Sequence, residues 1–222
     1  MTEQLLIRIA WCVEKGKIDA QSPHPQDMLG EEGADELTHK ALSTGATAQE
    51  VLSRALIPGM QAVGDKFRNN EIYLPDVLMS ARAMGAAMEH LKPHFKSGDI
   101  QYRGKIVLGT VSGDLHDIGK KIVGMFFEGG GWKVIDCGVD VSEPRFLEAI
   151  REHQPDAVGM SALLTTTMVN MEEIVRGLKT NFPQLLIIVG GAPVTDAFAT
   201  RIGADFYSPD PQGALEKLNM NI

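Results

Sequence analysis

Five short apolar runs, each followed by a stretch with helical spacing, constrain this chain's fold more than any other feature. Lys105–Val111 is the first run; Trp132–Cys137, Asp156–Ser161, Leu185–Gly190 and Asp205–Ser208 follow it. Short apolar runs bounded by turn residues read as buried strands. Ile118–Gly129, Pro144–His153, Val169–Phe182, Thr195–Ile202 and Pro211–Leu218 read as the helices between and after them. Ser142 stands where the second of these helices wants an N-cap. Parallel neighbours need a crossover connection, so strictly alternating strands and helices predict an α/β fold with a doubly wound parallel sheet. Right-handed crossovers leave few topologies. The expected one is flavodoxin-like, with five strands in the order 2-1-3-4-5.

The first half of the chain reads as helices. Residues 1–19 place Leu5, Leu6, Ile9, Val13 and Ile18 near helical spacing, and 20–33 read as a loop. A second helix covers 34–43 and stops at Gly45. Thr47 with Glu50 three residues later forms a capping box, opening a helix through Phe67 that Pro58 should end or kink. Pro75 opens a further helix rich in Ala, Met and Gly, the composition of close helix packing. Lys96–Arg103 is polar and reads as an exposed linker. The expected organisation is a helical bundle over residues 1–98 and an α/β domain over 99–222.

Composition excludes several functions. A net charge of −8 with no basic face argues against nucleic acid. No apolar run approaches the ~18 residues of a membrane span, and no cleavable leader is evident. Cys12 and Cys137 fall in different domains without metal-ligand spacing, which fits a reducing, cytoplasmic location.

In the expected strand order, the loops after strands one, three and four meet at one edge of the sheet, where ligands bind. They read GDLHDIG, SALLTTT and GGAPV. The first carries Asp114, His116, Asp117 and Gly119, with a histidine placed to ligate a metal and a carboxylate placed to orient it. Blander readings stand beside this one. Asp114 and Asp117 are good N-cap residues, Thr165–Thr167 could cap the next helix, and Gly190-Gly191 could be a turn. The pattern is neither a P-loop nor a dinucleotide fingerprint, and a zinc site would want more His or Cys. One nitrogen ligand suits a metal cofactor that brings its other ligands along.

Asp114, His116 and Gly119 in D-x-H-x-x-G, Ser161 42 positions after that glycine, and Gly190-Gly191 together resemble the cobalamin-binding motif of methionine synthase and related corrinoid proteins. SALLTTT resembles the hydroxyl-bearing segment of that family. Residues 59–84 resemble the helical cap that precedes the domain in methyl-transferring members. The resemblance covers nearly the whole chain and is weakest over 1–33.

It implies that His116 is the metal ligand, the lower axial ligand to cobalt in place of the cofactor's dimethylbenzimidazole. Asp114 would bond the other ring nitrogen. Thr167 stands where the family has a serine and would complete a His–Asp–hydroxyl relay that carries the chemistry with them. Asp117, Ile118 and Gly119 would border the cofactor. Ser161, Leu163, Thr165, Gly190, Gly191 and Ala192 would line the channel for its nucleotide tail, and Phe67, Leu74 and Val77 would cover the methyl-bearing face. The implied cofactor is cobalamin, cycling between methylcobalamin and cob(I)alamin at its cobalt. The implied function is a methyl carrier that is not a complete enzyme alone. Its partners would be a substrate-specific methyltransferase, a second methyltransferase serving tetrahydrofolate or coenzyme M, and a reductive activase. An adenosylcobalamin mutase subunit or a B12-dependent sensor shares D-x-H-x-x-G. The cap segment GDKF…YLPDV favours the carrier, and a sensor would want a basic DNA-binding helix.

Overall fold

The computed structural model describes residues 2–222 as two compact units. One comprises the described residues up to Tyr102 together with 129–131; the other comprises 103–128 and 132–222. Among the described residues, no helix is long and apolar enough to cross a membrane.

The first unit contains α1 (Thr2–Lys15), α2 (Ala34–Ser43), α3 (Ala48–Val51), α4 (Ile57–Arg68) and α5 (Leu74–Ser97). α1 buries Leu6, Ile9 and Val13 and packs against α2, α4 and α5. Gly59 permits the approach of α4 to α1, since a Cβ there would lie 2.7 Å from the Ala10 carbonyl oxygen. The expected capping box forms: the Thr47 N–H donates to Glu50 at 2.9 Å and the Glu50 N–H to the Thr47 hydroxyl at 3.1 Å.

Pro58 does not end the helix, but the α-helical pattern is interrupted just before it. A π-helical turn over Leu52–Leu56 joins α3 to α4, and Pro58 falls in the first turn of α4. Proline lacks an N–H, and its ring crowds the carbonyl four residues back, here that of Arg54. The wider π turn absorbs both. The stretch 96–103 is largely exposed and leads from one unit into the other, as expected, but it has local structure of its own. α5 runs to Ser97, and Gly98 takes a left-handed φ of 85° that turns the chain back. Ile100 is then buried, its N–H donates to the His94 carbonyl at 3.3 Å, and Tyr102 stacks on Phe95 with centroids 4.0 Å apart. Polarity predicted a linker, and one glycine and one isoleucine suffice to give it local structure.

The second unit is the expected α/β fold. β1 (Lys105–Thr110), β2 (Lys133–Asp136), β3 (Ala157–Ser161), β4 (Leu186–Gly190) and β5 (Phe206–Tyr207) form one parallel sheet in the order β2-β1-β3-β4-β5. The intervening helices are α6 (Ile118–Gly129), α7 (Glu143–His153), α8 (Met168–Asn181), α9 (Asp196–Ile202) and α10 (Pro211–Met220). Alternate strand residues serve opposite faces. Val107, Val158 and Ile187 join a core with Phe146, Met171, Ile174 and Leu178; Ile106, Leu108 and Ile188 join another with Phe127, Trp132, Leu215 and Leu218. Ser142 occupies the N-cap of α7 but makes no side-chain cap bond.

Candidate functional site

The register of the sheet assembles the site. Thr110, Ser161 and Gly190 are partners across β1, β3 and β4, so the loops that follow leave from one row at the carboxyl edge. The loops are also tied together. The Val111 N–H donates to the Ser161 carbonyl at 3.0 Å, and the Ala162 N–H to the Gly190 carbonyl at 3.2 Å. Gly191 is required by this closeness: its φ is 121°, and a Cβ would fall 1.9 Å from the Ala162 carbonyl oxygen.

Asp114 is the hub. Its side chain is fully buried. Oδ1 accepts from the His116 N–H at 3.0 Å and lies 2.7 Å from His116 Nδ1. Oδ2 accepts from the Leu163 N–H at 2.7 Å, the Leu164 N–H at 3.3 Å and the Thr167 hydroxyl at 2.8 Å. Burial alone would push this carboxyl up. The bonds from the His116 and Leu163 amides, the His116 ring and Thr167 outweigh burial and hold it well below the usual carboxylate range. An ionised Asp114 makes Nδ1 the donating ring nitrogen and leaves the lone pair on Nε2, the arrangement of a histidine that ligates metal. The ring is half exposed, and no hydrogen bond engages Nε2 among the described residues.

The blander readings of the hydroxyls and aspartates now separate. Thr167 stands at the N-cap of α8 without capping it; its hydroxyl lies 2.8 Å from Asp114 Oδ2 and 2.9 Å from the Leu164 carbonyl and shares its one proton between them. Asp117 stays outside the network; its carboxylate pairs with Lys121, which holds it below the usual range. Ser161 is half-buried, and its hydroxyl makes no hydrogen bond among the described residues. Thr165 and Ala192 are exposed on the loops after β3 and β4. Phe67 lies in the last turn of α4, and Leu74 and Val77 in the first turn of α5; Val77 is fully buried and the other two partly so.

Sequence reasoning missed two groups. Leu115, Ile118, Leu163, Leu164 and Val169 all expose apolar side chains on the two loops and helix starts around His116; only Ile118 and Leu163 were expected there. So many exposed apolar groups around one ring mark a ligand or partner surface. Thr110, Asp140 and Asn170 bond the His116 loop from outside the motif. A threonine ending an apolar strand was a visible signal for the first; the other two had none.

The residues fit a corrin. Gly119 and Gly190 have neither a left-handed φ nor any atom within 4 Å of an added Cβ, so the protein's own packing does not require glycine at either. Open cradles of this kind suit a ligand that approaches the backbone. Among the described residues no group of three or more His, Cys, Asp or Glu could hold a metal. The chain therefore offers cobalt one ring nitrogen, which matches a metal whose other ligands come with its macrocycle.

Comparison with known proteins agrees. A family model described as B12 binding domain matches residues 104–216, and a second B12 binding domain model matches 29–92. Trimethylamine corrinoid protein 2 of Methanosarcina acetivorans is 38% identical over 212 residues, 94% of this chain and 98% of that protein. Among solved structures, a cobalamin-binding protein from Desulfitobacterium hafniense is 34% identical with a TM-score of 0.72, covering 84% of this chain and 90% of the other. The methanol:cobalamin methyltransferase complex MtaBC from Methanosarcina barkeri aligns at 28% identity and a TM-score of 0.80, covering 98% of this chain and 79% of its counterpart. With the D-x-H-x-x-G loop, the buried Asp114 and both halves matched, the chain belongs to the family of B12-binding corrinoid proteins.

Proposed function

We propose that this protein is a methyl carrier that binds cobalamin with His116 as the lower axial ligand in place of the cofactor's dimethylbenzimidazole. The observation that carries the reading is the His116–Asp114 pair: a buried ionised carboxylate 2.7 Å from Nδ1, with the ring half exposed and its Nε2 unengaged. Bound cobalamin supplies a cobalt that accepts a methyl group from one methyltransferase and yields it to another. The working states are methylcobalamin and cob(I)alamin.

The chain's own residues do the rest. Asp114 fixes the tautomer and orientation of His116 and strengthens Nε2 as a ligand. With Nδ1 held by Asp114, Nε2 would be the ring atom presented to a bound metal. Thr167 and the Leu163 amide keep Asp114 ionised throughout. Leu115 and Ile118 exclude water around the ring. Ser161, Leu163, Thr165, Gly190, Gly191 and Ala192 receive the nucleotide tail, with Ser161 offering its unused hydroxyl. Asp117 borders the cofactor. The resemblance to methyl-transferring members assigns Phe67, Leu74 and Val77 to the cover over a bound methyl group.

The methyl group arrives from a substrate-specific methyltransferase and leaves to a second one serving coenzyme M or tetrahydrofolate, and a reductive activase restores cob(I)alamin. The relative named for trimethylamine supports methylated amines as the first donor class to test. The experiment is reconstitution with hydroxocobalamin and with methylcobalamin. One corrinoid per chain, an absorption spectrum of detached dimethylbenzimidazole, and methyl loss to an added corrinoid:coenzyme M or tetrahydrofolate methyltransferase support the reading. Failure to retain corrinoid overturns it.

A further inference from the structure

The loop that carries His116 is held at its backbone by side chains outside the D-x-H-x-x-G pattern. Thr110, the last residue of β1, is fully buried, and its hydroxyl donates to the His116 carbonyl at 2.9 Å. Asn170, in the first turn of α8, donates from Nδ2 to the Ser112 carbonyl at 2.7 Å. Asp140, between β2 and α7, accepts from the Gly113 N–H at 2.7 Å, and its own N–H donates to the Asp114 carbonyl at 3.0 Å. Asp140 does this from a left-handed φ of 54°, a conformation uncommon outside glycine that aims both of its groups at the one loop.

With the Asp114 N–H donating to the Val111 carbonyl at 3.1 Å and the His116 N–H donating to Asp114, six of the ten backbone N–H and C=O groups from Ser112 to His116 have a partner among the described residues, including both groups of Asp114 and both of His116. An exposed loop carrying an exposed ring ordinarily samples many positions. A metal ligand must stay within about 0.5 Å of its bonding position, and every degree of freedom left in the loop opposes the bond. The His116 ring also has to be released, so bond and release are balanced. Whatever pre-orders the loop shifts that balance toward the bound ring.

We propose that Thr110, with Asp140 and Asn170, are positioning residues that set the fraction of cobalt-bound His116 and thereby the cobalt reduction potential. The proposal rests on the reading of His116 as the axial ligand. Thr110 is its most informative member, because its bond ends on the ligand residue itself. Thr110→Val keeps the side-chain shape and removes the donor, and Thr110→Ser restores it. Asp140→Gly keeps the left-handed backbone and removes the acceptor, and Asp140→Asn restores it.

The test loads each full-length variant with cobalamin, reduces it to Co(II), and reads two quantities. These are the ratio of histidine-bound to histidine-free cobalt, from absorption and electron paramagnetic resonance, and the Co(II)/Co(I) midpoint potential. Thr110→Val and Asp140→Gly should each lower the ratio about fivefold, the worth of one ordinary hydrogen bond, and make the potential less negative. Thr110→Ser and Asp140→Asn should return both. Wild-type ratio and potential in Thr110→Val and Asp140→Gly, while His116→Ala abolishes the histidine-bound form, overturn the proposal alone. An unchanged spectrum in His116→Ala overturns the axial-ligand reading, and the proposal with it. If Thr110→Val fails to fold, Asp140→Gly, at an exposed loop residue, carries the test.

Discussion

Replacing Asp114 with asparagine should destabilise the α/β unit by about 2–4 kcal/mol at neutral pH. Asp114 accepts backbone amides on both sides, from His116 at 3.0 Å on Oδ1 and from Leu163 at 2.7 Å on Oδ2. A carboxamide has one acceptor oxygen and one NH2 group, so either orientation points a donor at a buried donor. The ring of His116 and the hydroxyl of Thr167 can turn to adapt, but the amides cannot. The loss is one charge-assisted bond of ~1.5–3 kcal/mol plus the penalty of a stranded donor, ~1–3 kcal/mol, less whatever the loops relax. The pH dependence follows from the depressed ionisation of Asp114 in the folded state. Its stabilisation is complete above the unfolded value near ~3.9 and is lost as pH falls through the lower folded value. The gap between wild type and Asp114→Asn should therefore narrow below about pH 4. Urea unfolding of the full chain measures it, in a Trp11→Phe background. Trp132 is then the remaining tryptophan; it is buried, with Nε1–H donating to Asn219 at 2.9 Å, and so reports the α/β unit. A difference under about 0.5 kcal/mol, or a gap that persists unchanged below pH 3, would refute the reasoning.

Substitutions at four other positions separate structural from ligand-facing demands. Gly119→Ala and Gly190→Ala should leave the apo-protein's stability unchanged or raise it by up to about 1 kcal/mol, yet weaken cobalamin binding about tenfold or more in a titration, since an added methyl overfills the cradle. Gly191→Ala should cost about 3 kcal/mol or more in thermal unfolding without any ligand, because its φ of 121° and the Ala162 carbonyl both exclude a Cβ. Thr167→Val should lower stability by about 1 kcal/mol and Thr167→Ser should restore it; equal melting temperatures for all three proteins would mean that the bond to Asp114 is idle.

The α/β unit was legible because its signals are redundant. Apolar strand runs, helical spacing between them and the handedness of crossovers all point to one strand order, and the register then brings Asp114, Ser161 and Gly190 to one edge. The Thr47–Glu50 capping box was legible for the same reason, being local. Where a single residue redirects the chain, composition is a coarser guide. Gly98 and Ile100 give local structure to a stretch whose composition reads as linker, and ahead of Pro58 the helix passes through a π turn instead of ending. The site divides likewise. Asp114 and His116 stand out by their spacing and Thr167 follows from the family resemblance, whereas the bonds of Asp140 and Asn170 to the loop join residues 27 and 58 positions apart, and no local pattern announces them.

The central claim is that the Nε2 of His116 binds cobalt. Electron paramagnetic resonance of the Co(II) protein, prepared once with natural-abundance and once with 15N-labelled histidine, tests it most directly. A nitrogen splitting that changes from triplets to doublets on labelling, and vanishes in His116→Ala, is the predicted result. A splitting indifferent to histidine labelling, or one retained in His116→Ala, would show that another nitrogen holds the metal and would contradict the account.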